Sequence, residues 1–162
     1  MATWQFKIEL VPRARVGAAS NNVHTLYDSE GYDTSVAWEK YSPSIEVEPL
    51  MEAIFPKGES WHADLHTWGD EERSDIQIWY KNNRLESIAV RLDLREKYES
   101  LLSKVAYLAS KLDCVVFIPE SKSIIEPNVF ALGKAATESN AAKFVKDPEG
   151  FLRSIGSGEN AT

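Results

Sequence analysis

Trp61-His62-Ala63-Asp64-Leu65-His66 holds the residue types in this chain best suited to chemistry. Read as a strand, it puts His62, Asp64 and His66 on one face and Trp61, Ala63 and Leu65 on the other. Two imidazoles and a carboxylate are the ligand types of zinc or another transition metal, with a position left open for water. Spacing works against that reading. Alternate side chains on a strand lie about 6.6 Å apart, and three in a row do not converge easily on one ion. The plainer alternative is the solvated side of an amphipathic strand, or a polar binding face to which neighbouring strands add Asp75, Gln77, Arg91 and Asp93. His24, the remaining histidine, falls in an irregular stretch that nothing in the sequence brings to this face.

Aromatic residues supply the second lead. Tyr27, Tyr32, Trp38 and Tyr41 crowd into residues 12–44, where regular patterning is weakest, while Trp68 and Trp79 flank a stretch of alternating residues. Large rings with a polar edge are favoured at the centres of protein interfaces, which makes Trp38, Trp68 and Trp79 candidate partner-binding residues. The competing reading is a second small core beneath the irregular stretch. By the alternation Trp79 shares a face with Asp75 and Gln77 and not with Ile76, Ile78 and Tyr80, so it belongs to the polar side. Between Gly69 and Asp75, the acids Asp70, Glu71 and Glu72 read either as solvated turn chemistry or as a contact for a basic partner. Their spacing does not match a calcium loop.

Glycine loops that cradle phosphate, nucleophile elbows and helical His-Glu-x-x-His patterns do not occur. Cys114, the single cysteine, sits in the apolar run Leu112–Ile118 and reads as a small core residue, and no intramolecular disulfide can form. No cofactor is implied, and a lone cysteine favours a reducing, cytoplasmic setting.

These residues are placed by a set of elements with clear period. Trp4, Phe6, Ile8 and Leu10 alternate with polar residues, as a half-buried strand does. A short element is expected around residues 35–41, and Pro49 opens a short helix with Leu50, Met51, Ile54 and Phe55 inward. A meander follows over 61–67, 75–80 and 85–92, with Asn82-Asn83 as a two-residue hairpin turn. Asp93, with Glu96 three residues on, reads as the cap of a helix whose apolar stripe runs from Tyr98 to Leu112. Cys114–Ile118 is a buried strand. A helix from Pro127 or Asn128 turns Phe130, Leu132 and Ala135 inward, and Asp147-Pro148 opens a last one carrying Phe151, Leu152 and Ile155.

Strands and helices cluster without alternating. The expected fold is therefore α+β, a mainly antiparallel sheet of about five strands with helices packed on one face. Residues 1–156 read as one domain and 157–162 as a flexible tail. The length, 162 residues, suits one domain, and 43% hydrophobic with 27% charged residues is ordinary globular composition. No apolar run approaches the roughly 20 residues of a membrane span. A net charge of −7 works against nucleic acid and anionic lipid and suits a basic partner.

The opening Trp4-Gln5-Phe6-Lys7-Ile8-Glu9-Leu10-Val11-Pro12, the strand end Val90-Arg91-Leu92-Asp93 and the closing run from Ala142 to Leu152 resemble a class of small acidic bacterial proteins. Several members of that class are immunity proteins of polymorphic toxin systems. The resemblance implies a non-catalytic protein that binds and blocks a partner, and carries over no functional residue. The expected function is thus a protein-binding domain of immunity type. The alternatives are a metal-dependent enzyme using His62, Asp64 and His66, or a small-molecule sensor with its pocket between the sheet and the irregular stretch.

Overall fold

In the computed structural model, which describes residues 1–16 and 20–156, the chain opens with strand β1, Gln5–Pro12. Helix α1, Arg13–Val16, a 3-10 helix over Ser20–Leu26, the short hairpin β2 (Tyr27–Asp28) and β3 (Gly31–Tyr32), and helix α2, Ser35–Trp38, fill the stretch that lacked pattern. Helix α3 is Glu48–Glu52, and strands β4 (Leu65–Gly69), β5 (Asp75–Lys81) and β6 (Arg84–Asp93) form the meander. Helix α4, Glu99–Lys111, strands β7 (Cys114–Ile118) and β8 (Ser123–Ile125), and helices α5 (Val129–Glu138), α6 (Asn140–Lys146) and α7 (Pro148–Gly156) complete the described chain. The tail expected at 157–162 lies outside the described residues.

The fold is α+β. Six antiparallel strands run in the order β4-β5-β6-β1-β7-β8, one more than expected. The extra strand, β8, has only three residues, too few to show a period. Asn82 and Asn83 make the β5–β6 turn with φ of 52° and 61°, the left-handed pair that a two-residue hairpin needs.

Parity sorts the sheet into two faces. Phe6, Ile8 and Leu10 on β1, Ile88, Val90 and Leu92 on β6, and Cys114, Val116 and Ile118 on β7 all join the main core. The α4 stripe of Leu102, Val105, Leu108 and Ala109 seals that core together with Leu132 and Ala136 of α5. On the opposite face Val11, Val115, Phe117 and Ile124 form a second, smaller core with Val16, Leu26 and Ala37. The irregular stretch is therefore a lid on half of the back of the sheet. No helix among the described residues is long and apolar enough to cross a membrane.

Several local expectations are corrected. Asp93 caps no helix: α4 begins six residues later, and the Asp93 carboxylate instead holds Arg95 at 2.7 Å. Phe130 points outward, 83% exposed, because Leu132 and Ala136 take the inward positions of α5. In α7 only Phe151 is buried, while Leu152 and Ile155 face solvent.

Candidate functional site

Beyond the lid, the back of the sheet over β4, β5, β6 and half of β1 is the open polar face. Strand register sets its rows. Asp75, Arg91 and Lys7 lie side by side across β5, β6 and β1; Gln77, Ala89 and Glu9 form the next row; Trp79 stands beside Ser87. Every one of these residues occupies the parity opposite to the core positions, so the hydrophobic pattern that turns Ile76, Ile78, Ile88 and Val90 into the main core turns this set to the back of the sheet, where Asp75 and Glu9 are buried and the others half-buried.

The rows differ in chemistry. Asp75 is fully buried and takes a two-point contact from the Arg91 guanidinium, with Nε at 2.8 Å, while Gln77 donates to it at 3.2 Å. The Asp75 hydrogen bond first, and its charge, hold the Arg91 pKa above its ordinary value against the opposing effect of burial. One row along, Glu9 is 4% exposed; it accepts from Thr34 Oγ1 at 2.7 Å and faces Lys7 Nζ at 3.7 Å. Lys7 in turn donates to the Tyr32 hydroxyl at 2.9 Å, which ties the β2–β3 hairpin to the sheet.

At one end of the face Trp61, 73% exposed, packs edge-on against Trp79 at 5.6 Å between ring centroids. The His62 ring lies 5.2 Å from Trp79. At the other end, about 14 Å away along β5 (four residues at roughly 3.4 Å each), the acidic loop turns between β4 and β5. Gly69, at φ 94°, permits that turn, since a Cβ there would sit 2.5 Å from the Ser74 carbonyl oxygen. Gln5 donates to the carbonyls of Glu71 and Arg73 at 2.9 and 2.6 Å, and Trp4 to that of Glu72 at 3.2 Å. With its carbonyls held inward, the loop presents the Asp70, Glu71 and Glu72 side chains to solvent. Nearby, the Arg95 guanidinium lies over the Trp4 ring at 4.0 Å with Asp93 as its counter-ion.

No family model, no curated protein and no solved structure matches this chain. What the site does must be read from its own geometry.

That geometry divides the candidate residues. Trp79 stands on the polar face, as its alternation required, and Asp70, Glu71 and Glu72 are exposed at the far end. Trp38 and Trp68 are corrections: they are 1% and 0% exposed and belong to the main core. Trp38 donates its indole N–H to the Leu10 carbonyl at 3.2 Å, which explains how a polar-edged ring can be buried there. Tyr27 and Tyr32 sit edge-on to Phe117 at 6.0 and 5.3 Å, and Tyr41 donates to the Leu112 carbonyl at 3.2 Å. The irregular stretch spends its aromatics mainly on cover.

The metal trio is not assembled. Residues 61–64 are turn, not strand, and β4 starts at Leu65. His62 Nδ1 accepts from the Asp64 backbone N–H at 3.0 Å, and His66 lies on the core side with Trp68. The alternation expected across 61–67 is corrected in phase: burial of Trp68 against Ile76 puts His66 on the core side. Among the described residues no group of three or more His, Cys, Asp or Glu side chains is placed to hold a metal ion. His24 sits on the 3-10 helix that packs near β8, at the opposite edge of the sheet from β4. Cys114 is fully buried, and burial, with the charge of Asp113, pushes its thiol up to about 12, a poor state for a nucleophile.

His66 has a different role. Glu48, on α3, accepts from Lys57 Nζ at 2.9 Å, lies 3.2 Å from His66 Nδ1, and accepts from the Tyr80 hydroxyl at 3.1 Å. Burial raises the Glu48 pKa, but the hydrogen bonds and charges of Lys57 and His66 outweigh it and hold the carboxyl below 4.5. Burial, and then the charge of Glu48, keeps Tyr80 protonated far above its ordinary value. The cluster is a clamp between α3 and strands β4 and β5. A carboxyl whose pKa is depressed by folding stabilises above its unfolded value and loses that contribution as pH falls through the folded one. Acid titration below 4.5 is therefore expected to loosen α3 before the rest of the fold. Amide exchange along 48–55 measures it, and a Glu48→Gln protein that shows the same acid step refutes the assignment.

Proposed function

We propose that this chain is a non-enzymatic protein-binding domain of immunity type, holding a basic partner against the open face of β4, β5 and β6 in a reducing, cytoplasmic compartment. The observation that carries this reading is the Trp61–Trp79 pair, an exposed indole braced against a half-buried one at the rim of a polar sheet face. An exposed indole of this kind has the makings of an interface anchor, offering area, rigidity and a single N–H donor. Asp70, Glu71 and Glu72, on a loop whose backbone is already held in place, supply a fixed negative field at the opposite end. Opposite charge speeds encounter with a basic toxin and favours it over other surfaces. The net charge of −7 acts in the same direction.

The test is co-expression with the product of the neighbouring reading frame, followed by quantitative binding. Trp61→Ala is expected to weaken the complex by about 30-fold, a hot-spot loss, while the melting temperature stays within error because Trp61 packs into no core cluster. The double charge reversal Glu71→Lys/Glu72→Lys slows association, most at low salt. If the neighbouring product fails to bind the wild-type chain, or binds Trp61→Ala unchanged, the reading is wrong.

A further inference from the structure

Between the lid and β5 the polar face sinks into a groove of about 420 Å³. Tyr32 from the β2–β3 hairpin, Trp79 from β5, and Ser87 and the small Ala89 of β6 line it. The remaining charged groups around it are three carboxylates, Glu9, Asp33 and Glu86, and one ammonium, Lys7. Lys7 is already committed to Glu9 and the Tyr32 hydroxyl. Asp33 accepts from the Ser35 backbone and side chain at 2.9 and 2.6 Å. Glu86 is half-buried, and its carboxylate has no hydrogen bond or ion pair among the described residues.

The position of Glu86 follows from a break in the ladder. Trp79 pairs with Ser87 and Tyr80 with Leu85, so Glu86 is one residue more than β5 can match. This bulge keeps Leu85 on the core side despite its odd spacing from Ile88, Val90 and Leu92. It also turns Glu86 and Ser87 together toward the groove, the re-aiming that bulges produce beside binding sites. The result is a free carboxylate in the same groove as an indole. The molecule already contains a filled version of that arrangement, where Arg95 lies on Trp4 at 4.0 Å with Asp93 as counter-ion.

We infer that the groove between Tyr32 and Trp79 seats one arginine side chain of the basic partner, with Glu86 as its counter-ion; this rests on the protein-binding reading above. A planar guanidinium stacks on an aromatic face such as the Trp79 indole, is attracted by it, and offers a carboxylate two parallel N–H donors. A lysine ammonium has no such plane.

Amide and indole chemical-shift titration with N-acetyl-arginine amide, and with its neutral isostere N-acetyl-citrulline amide, tests this on the free protein. The arginine probe is expected to move the Trp79 indole N–H and the amides of Ser87 and Ala89 with saturable, millimolar affinity. The citrulline probe and a Glu86→Gln protein should each lose roughly fivefold, and Ala89→Leu, which fills part of the groove, should lose the response; its spectrum reports directly whether it folds. Equal binding of the two probes, shifts confined to residues 70–72, or an unchanged response in Glu86→Gln would overturn the assignment. If the partner binds wild type and Ala89→Leu equally, the groove assignment fails and the protein-binding reading stands. If no partner is found but the arginine probe behaves as described, the groove stands without it.

Discussion

Trp68→Ala is expected to lower the unfolding free energy by about 4 kcal/mol and the melting temperature by roughly 10 °C. Trp68 is fully buried, opposite Ile76 across the β4–β5 ladder, with the Lys57 ammonium over its ring at 5.6 Å. Removing the ring leaves a cavity where an edge strand meets the α3 segment, and the strand has only five residues with which to adjust. Trp68→Phe should recover much of the loss. It restores a ring and deletes an indole N–H that has no hydrogen-bond partner among the described residues, a group costly to bury. Chemical denaturation measures both. The contrast with Trp61→Ala, which should leave stability alone, separates a core tryptophan from a recognition tryptophan seven residues away. A Trp68→Ala protein as stable as wild type would mean that β4 is not packed as described.

Arg91→Ala should be nearly as damaging, at about 3 kcal/mol, because it strands the Asp75 carboxylate with only the Gln77 amide beside it. Asp75 is 1% exposed, and Arg91 reaches it by both Nε and a terminal nitrogen. The size of the loss reflects an unpaired buried charge and not the net value of the pair. Replacing both partners, Asp75→Asn with Arg91→Gln, should therefore cost less than Arg91→Ala alone. Denaturation midpoints for Asp75→Asn, Arg91→Gln and the double variant form the required cycle. A double variant that loses the sum of the singles would show that the two side chains stabilise independently, against the geometry. The same pair sits on the polar face two rows from Trp79, so the double variant also reports whether a partner reads that end of the sheet.

Much of the scaffold could be read from residue order. Alternation in β1, β5 and β6, the apolar stripe of α4 and the unbroken run Cys114–Ile118 each appear at their expected places, and the Asn82-Asn83 turn takes the left-handed angles its residues favour. The 27–41 stretch offered no such period. Its hairpin has two residues per strand, and its order comes from contacts with Phe117, Leu10 and Leu112, all distant in sequence. β4 was legible as a strand but not in phase. Alternation over four or five residues fits either face, and burial of Trp68 against Ile76 settles it. Glu86 went unnoticed, although Leu85 falling out of step with Ile88 was a visible sign of a bulge.

Local periodicity thus established the α+β class, the antiparallel meander, the polar side of β5 and β6 with Trp79 on it, and the 70–72 acids as a loop between strands. Those features depend on neighbours two to four residues apart, which the chain order contains. Which tryptophans are buried, that His62, Asp64 and His66 part company, and that Glu86 lines one groove with Trp79 and Tyr32 came from packing between segments remote in sequence. Burial is a competition among all apolar groups for a limited interior, and its outcome is written in no single stretch of the chain.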